Sequence, residues 1–134
     1  MKPQKFLFIL FEIFLVIAFL NLVSAISIRS VSTFPQEVAP GEVVEVKLEI
    51  KNIFDYDVTN LNVKLDVSDS PFAPHQSSSE KFVTELNSDE KEFFNFNLIV
   101  LPETASGIYK IPVEITYEDY EEEIKTKKET ISLI

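Results

Sequence analysis

The chain predicts an all-β domain, an antiparallel β-sandwich of about seven strands, set behind an apolar N-terminal segment. Three observations carry that reading. Apolar and charged residues alternate with a period of two in several separate stretches, Val44 to Lys51 being the cleanest. Clusters of turn residues divide these stretches at spacings of roughly 10–15 residues, as in sandwiches. No stretch after Ala25 keeps a helical period over a useful length.

The N-terminus decides where the rest must work. Lys2 and Lys5 give a short positive start, and Phe6 to Leu20 is apolar apart from Glu12. Leu22-Val23-Ser24-Ala25 then places compact residues before Ile26, with Val23 and Ala25 at the two positions a signal peptidase reads. This order predicts a signal peptide over residues 1–25, removed after Ala25. An uncleaved membrane anchor is the rival, because Phe6 to Val23 covers 18 positions, close to the roughly 20 that span a bilayer core. Glu12 weighs against the anchor, since an acid at mid-membrane costs roughly 2.5–3.5 kcal/mol. A cleaved segment tolerates that cost better because it stays in the membrane briefly. Either way residues 26–134 are expected outside the cytoplasm, secreted or held on the outer face of the membrane.

Those 109 residues suit one domain with a modest core. Without Lys2, Lys5 and Glu12 they hold 10 bases and 21 acids, a net charge of about −11. Such a surface offers no basic face for nucleic acid phosphates or anionic headgroups, and its ordinary use is solubility. There is no cysteine, so thiol catalysis and thiolate metal sites are excluded. A small exported domain without disulfides points to a bacterial or archaeal envelope.

The strands follow in order. Ile26 to Ser32 is expected to be the first. After the turn at Gln36–Gly41, Val44, Val46, Leu48 and Ile50 face inward against Glu45, Lys47, Glu49 and Lys51. Asn52 to Asn60 reads as a loop, and Leu61, Val63, Leu65 and Val67 form the next inward row. Strands that are polar on their other face indicate antiparallel pairing. Asp69 to Glu80, with Pro71, Pro74 and Ser77-Ser78-Ser79, reads as a long polar connection. A short strand over Lys81–Leu86 is followed by inward rows Phe94, Phe96, Leu98, Val100 and Tyr109, Ile111, Val113, Ile115, Tyr117. Pro112 sits on the outer face of the latter, so its missing N–H must meet a bulge or no neighbour. In the last segment Ile124 is out of phase with Ile131 and Leu133, which predicts a β-bulge near Lys127-Lys128. Lys125, Lys127 and Lys128 mark that strand as an edge.

Phe34-Pro35, Ala39-Pro40-Gly41-Glu42 and Val46 to Asn52 together resemble the proline-glycine, strand, asparagine opening of Ig-like modules in prokaryotic surface proteins. These include the CARDB-type cell-adhesion-related and archaeal S-layer-related domains. Asp57 to Leu65 is similar to their next strand, and Gly107-Ile108-Tyr109 to the G-x-Y that leads into a late one. The resemblance covers roughly residues 34–117. The turn Asn52–Asp57 lacks the glycine such modules often carry there, and the chain holds no second copy. The resemblance implies an Ig-like sandwich and says far more about fold than about activity.

Candidate chemistry is sparse, and no catalytic, cofactor-binding or metal-ligating residue is assigned. His75 is the only histidine, and no second imidazole exists to complete a metal set. The serines 77–79 lack a nucleophile elbow and read as a flexible, O-glycosylation-type linker. Acids cluster at Asp55/Asp57, Asp66/Asp69 and Asp119/Glu121/Glu122/Glu123, of which Asp55 with Asp57 or Asp119 with Glu121 come nearest to a calcium site. None matches the spaced calcium-loop pattern, so solvated acidic turns are expected. No asparagine begins an N-glycosylation motif. Phe54, Tyr56, Phe72, Phe82 and Phe93 fall outside the inward rows; together they would make an adhesive patch, and singly they would plug the sandwich ends. The expected role is therefore a non-enzymatic structural or interaction module at a prokaryotic, by preference archaeal, cell surface. It needs no cofactor, and its partner is a protein or envelope component. The alternatives are a carbohydrate- or ligand-binding accessory domain and an envelope-complex subunit anchored through residues 6–23.

Overall fold

A computed structural model describes residues 2–19 and 26–134. The cleavage positions Val23 and Ala25 lie outside the described residues. Helix α1 spans Pro3–Phe19, with proline at the first helical position, where its missing N–H costs nothing. Phe6 to Phe11 are all exposed, so this part of the helix has no face packed on the domain. No helix among the described residues is long and apolar enough to cross a membrane.

Eight strands follow: β1 (Ile26–Phe34), β2 (Val43–Asn52), β3 (Val58–Leu65), β4 (Phe72–Pro74), β5 (Glu80–Leu86), β6 (Lys91–Val100), β7 (Tyr109–Glu118) and β8 (Ile124–Leu133). They form two four-stranded antiparallel sheets, β1-β2-β6-β4 and β5-β3-β7-β8. The facing sheets bury the alternating rows. Val44, Val46, Leu48 and Ile50 of β2 and Phe94, Phe96, Leu98 and Val100 of β6 meet Leu61, Val63 and Leu65 of β3 and Ile111, Val113, Ile115 and Tyr117 of β7. Each fully buried aliphatic or aromatic side chain contributes about 1.5–3 kcal/mol, and this core takes the place of any disulfide.

The count of about seven strands is corrected to eight by β4. It lies inside the segment expected to be a polar connection, where Phe72 turns into the core and pairs with Val100 while Pro74 pairs with Leu98. Two prolines hid it, because a three-residue edge strand tolerates proline. Neighbouring boundaries also shift: β1 runs to Phe34, β3 begins at Val58, and Val67 lies beyond β3, half-buried beneath the loop.

The bulge expected near Lys127-Lys128 does not occur. β7 and β8 pair without a break from Tyr109↔Leu133 to Glu118↔Ile124. The phase conflict is resolved by leaving Ile124 outside, 71% exposed, while Ile131 and Leu133 enter the core. Bulges fall elsewhere. One extra residue sits in β1 between Ile28 and Ser30, and another in β3 between Thr59 and Asn62, where Asn60 has φ 50°. Pro112 lies where β3 stops pairing: its C=O accepts from Asp66 N at 2.9 Å. The return bond of that antiparallel pair is the one a proline cannot give.

Asn52 is the one buried polar residue among those described. Its Nδ2 donates to Tyr56 O at 2.9 Å and Leu86 O at 3.0 Å, and its Oδ1 accepts from Phe54 N at 2.9 Å. Its backbone N–H donates to Glu90 O at 3.0 Å and its C=O accepts from Asp89 N at 2.8 Å. The residue ending β2 in one sheet thus fixes the loop to β3 and the end of β5 in the other.

Candidate functional site

The five aromatics outside the inward rows go to three separate places. At one end of the sandwich Phe54 stacks on Tyr56 with centroids 4.6 Å apart, Phe54 lies 5.9 Å from Tyr117, and Tyr56 meets Tyr120 edge-on at 5.0 Å. At the other end of β7, Phe72 is buried and meets Tyr109 edge-on at 5.9 Å. Phe82 and Phe93, 57% and 51% exposed, flank a shallow recess of about 250 Å³ between β5 and β6, with Lys47 Nζ 4.5 Å above the Phe93 ring.

The acids around the first end serve its turns. Asp57 Oδ1 accepts from Ser88 N at 2.7 Å, while Ser88 Oγ donates to Phe54 O at 2.6 Å. Asp119 Oδ1 accepts from the N–H groups of Glu121 and Glu123 at 2.9 and 3.0 Å. At the opposite end, just past β3, Asp66 Oδ1 accepts from Ser68 N and Oγ, which holds its pKa below the usual carboxylate value. Asp89 is likewise lowered by Lys51, 2.9 Å away. Among the described residues, no group of three or more His, Cys, Asp or Glu is arranged to hold a metal ion.

The same surroundings act on the phenols. Burial raises the pKa of Tyr56 and Tyr117, with the Asp119 charge adding to both. Tyr120 is raised by the Glu121 carboxylate against it. This end is a packed aromatic plug ringed by acids.

The backbone of His75 and the serine hydroxyls join neighbouring strands. His75 N donates to Asn97 O at 2.9 Å, prolonging the pairing of β4 with β6. Asn97 N donates to Ser77 Oγ at 3.2 Å, and Glu80 N to Ser78 Oγ at 3.0 Å. The serine run thus finishes one strand edge and starts β5, instead of forming the flexible linker expected.

The feature missed in the sequence is a recess of about 330 Å³ at the Tyr109 end. The turns 37–40 and 104–107, with Phe72, Val100, Tyr109 and Ile134, line it. No local motif marks it, because its residues come from five parts of the chain. Hydrogen bonds hold its walls: Val38 N to Ile134 O at 3.1 Å, Gly41 N to Val100 O at 2.8 Å, Thr104 Oγ1 to Leu101 O at 2.5 Å, and Tyr109 OH to Ala105 O. Gly41, at φ 80°, makes the turn a side chain would strain.

Fold and surface together define a β-sandwich module whose ends are closed by aromatic side chains. No protein-family model matches the chain, and no curated protein is similar to it.

Proposed function

We propose that this chain is an exported, non-enzymatic Ig-like module that acts as a structural or interaction element at a prokaryotic cell surface, with an archaeal setting suggested by the resemblance. The observation that carries the reading is the order of a positive start at Lys2 and Lys5, the apolar run Phe6–Leu20, and Val23 and Ala25 ahead of a packed β-sandwich. Ile26, the first described residue of β1, is fully buried and follows the Ala25 at which a signal peptidase would cut.

Strand order supports the Ig-like part. β1-β2-β6-β4 against β3-β7-β8 follows the A-B-E-D and C-F-G sheets of that fold, with β5 added beside β3. In chain order β4 precedes β5, so the strand at the D place comes before the added one. The non-enzymatic part is supported by the use made of polar groups. Asp57, Asp66, Asp119, Ser77 and Ser78 cap turns and edges instead of converging on a cleft. The partner is a protein or envelope component, because the acidic exterior repels nucleic acid.

A membrane-anchored subunit is the second reading, favoured by the exposed apolar run Phe6–Phe11 of α1. Fractionating native cells into cytoplasm, membrane and medium tests the address. Recovery in medium or at the outer face is expected, and a cytoplasmic pool alone would contradict both readings.

A further inference from the structure

We infer that the recess at the Tyr109 end is a binding site for a small organic cation, an apolar ring or branched chain bearing a protonated amine. The inference stands apart from the chain's address and concerns this end of the sandwich alone. Its floor is apolar and rigid: Phe72 and Val100 belong to the buried core, and Tyr109 packs edge-on against Phe72. Val38, Pro40 and Ile134 supply apolar walls. The turns that form the rim are tied to strand ends by the hydrogen bonds given above, so the recess exists before any ligand arrives. Preformed sites lose less to ordering on binding.

The polar groups select the ligand. The hydroxyls of Thr104 and Tyr109 already donate to Leu101 O and Ala105 O, so neither needs a ligand acceptor. Glu37 carries the one charged side chain on the rim, and none of the four ion pairs among the described residues involves it. An anion would face Glu37 and a chain of net charge −10, whereas a cation would find its counter-charge beside an apolar floor. A volume of about 330 Å³ equals roughly eleven waters at about 30 Å³ each, near the small end of ligand pockets. A ligand of about ten non-hydrogen atoms fits, with a dissociation constant of about 10 μM to 1 mM. Glu37 is exposed, so its share of that affinity is about two- to fivefold.

The test titrates phenethylamine into the full chain in a non-ionic detergent and follows backbone amide NMR shifts. Saturable shifts confined to Val38, Ser106, Gly107, Tyr109 and their neighbours are expected. E37Q should weaken binding about two- to fivefold, and phenylacetate, the anionic counterpart, should not bind. Ala39→Phe and Ser106→Trp each place a ring in the recess; whichever keeps a folded spectrum should abolish the shifts. The inference is overturned by the absence of saturation up to about 10 mM, ten times the weak end of the expected range. Equal binding of phenylacetate, or shifts centred on Tyr56/Tyr120 or Phe82/Phe93, would overturn it equally.

Discussion

Asn52 shows how much one side chain can hold. Removing its amide breaks the buried bond to Leu86 O and the part-buried bonds to Tyr56 O and Phe54 N. An orphaned buried group costs about 1–3 kcal/mol, so Asn52→Ala should lower stability by at least about 2 kcal/mol in a denaturant melt. A loss under about 0.5 kcal/mol, ordinary for surface changes, would mean that water replaces the amide. Titratable residues shape the pH limits. Asp66 and Asp89 have folded pKa values below their unfolded ones, so their stabilisation is present above about pH 4 and disappears as pH falls through the folded values. Asp89→Asn should therefore flatten the acid limb of melting temperature against pH. Tyr56 and Tyr117 are raised, so their contribution is intact below about pH 10 and is lost at higher pH, as the unfolded phenols ionise first. Tyr56→Phe should flatten the alkaline limb, and an unchanged limb would remove the aromatic plug from that account.

At the scale of elements, the alternating rows set the register. Leu48, Leu65, Phe96 and Ile111 are all buried, and each changed to Ala should cost about 2–5 kcal/mol. Lys64, Asn95 and Lys110 point outward and should stay within about 0.5 kcal/mol when changed. Lys47 differs, because its ammonium lies over Phe93 and an exposed contact of that kind adds about 0.5–1 kcal/mol. Denaturant melts giving the reverse ranking would place the strands one residue out of register. These rows were legible in the sequence because a half-buried strand writes its period of two directly into residue type. Four features were not. β4 is three residues long and contains a proline, so no period can form. Ile124 signals burial by type, yet β8 keeps its register with β7 and leaves it in water. The reach of Asn52 from β2 to Leu86 spans 34 residues, and no local pattern encodes such a contact. The recess beside Tyr109 was illegible for the same reason, being assembled from loops that meet only in the fold.

For the whole molecule, the two sheets share one apolar core, with aromatic clusters at its ends. Asp57 and Asp119 already accept backbone N–H groups, so calcium should not shift the melting temperature relative to EDTA. A ligand bound at 100 times its dissociation constant adds about 2.7 kcal/mol, which a melt would reveal. A rise of several degrees that is lost on changing Asp55 and Asp57 to Asn would instead make this end a calcium-stiffened contact. The central claim is the proposed export with removal of residues 1–25, so that the mature chain opens at Ile26. The intact mass of the protein purified from its own cells tests this most directly. The expected mass is that of residues 26–134, 109 residues beginning with Ile26. A species that keeps Phe6–Leu20 would contradict the claim and favour the uncleaved anchor.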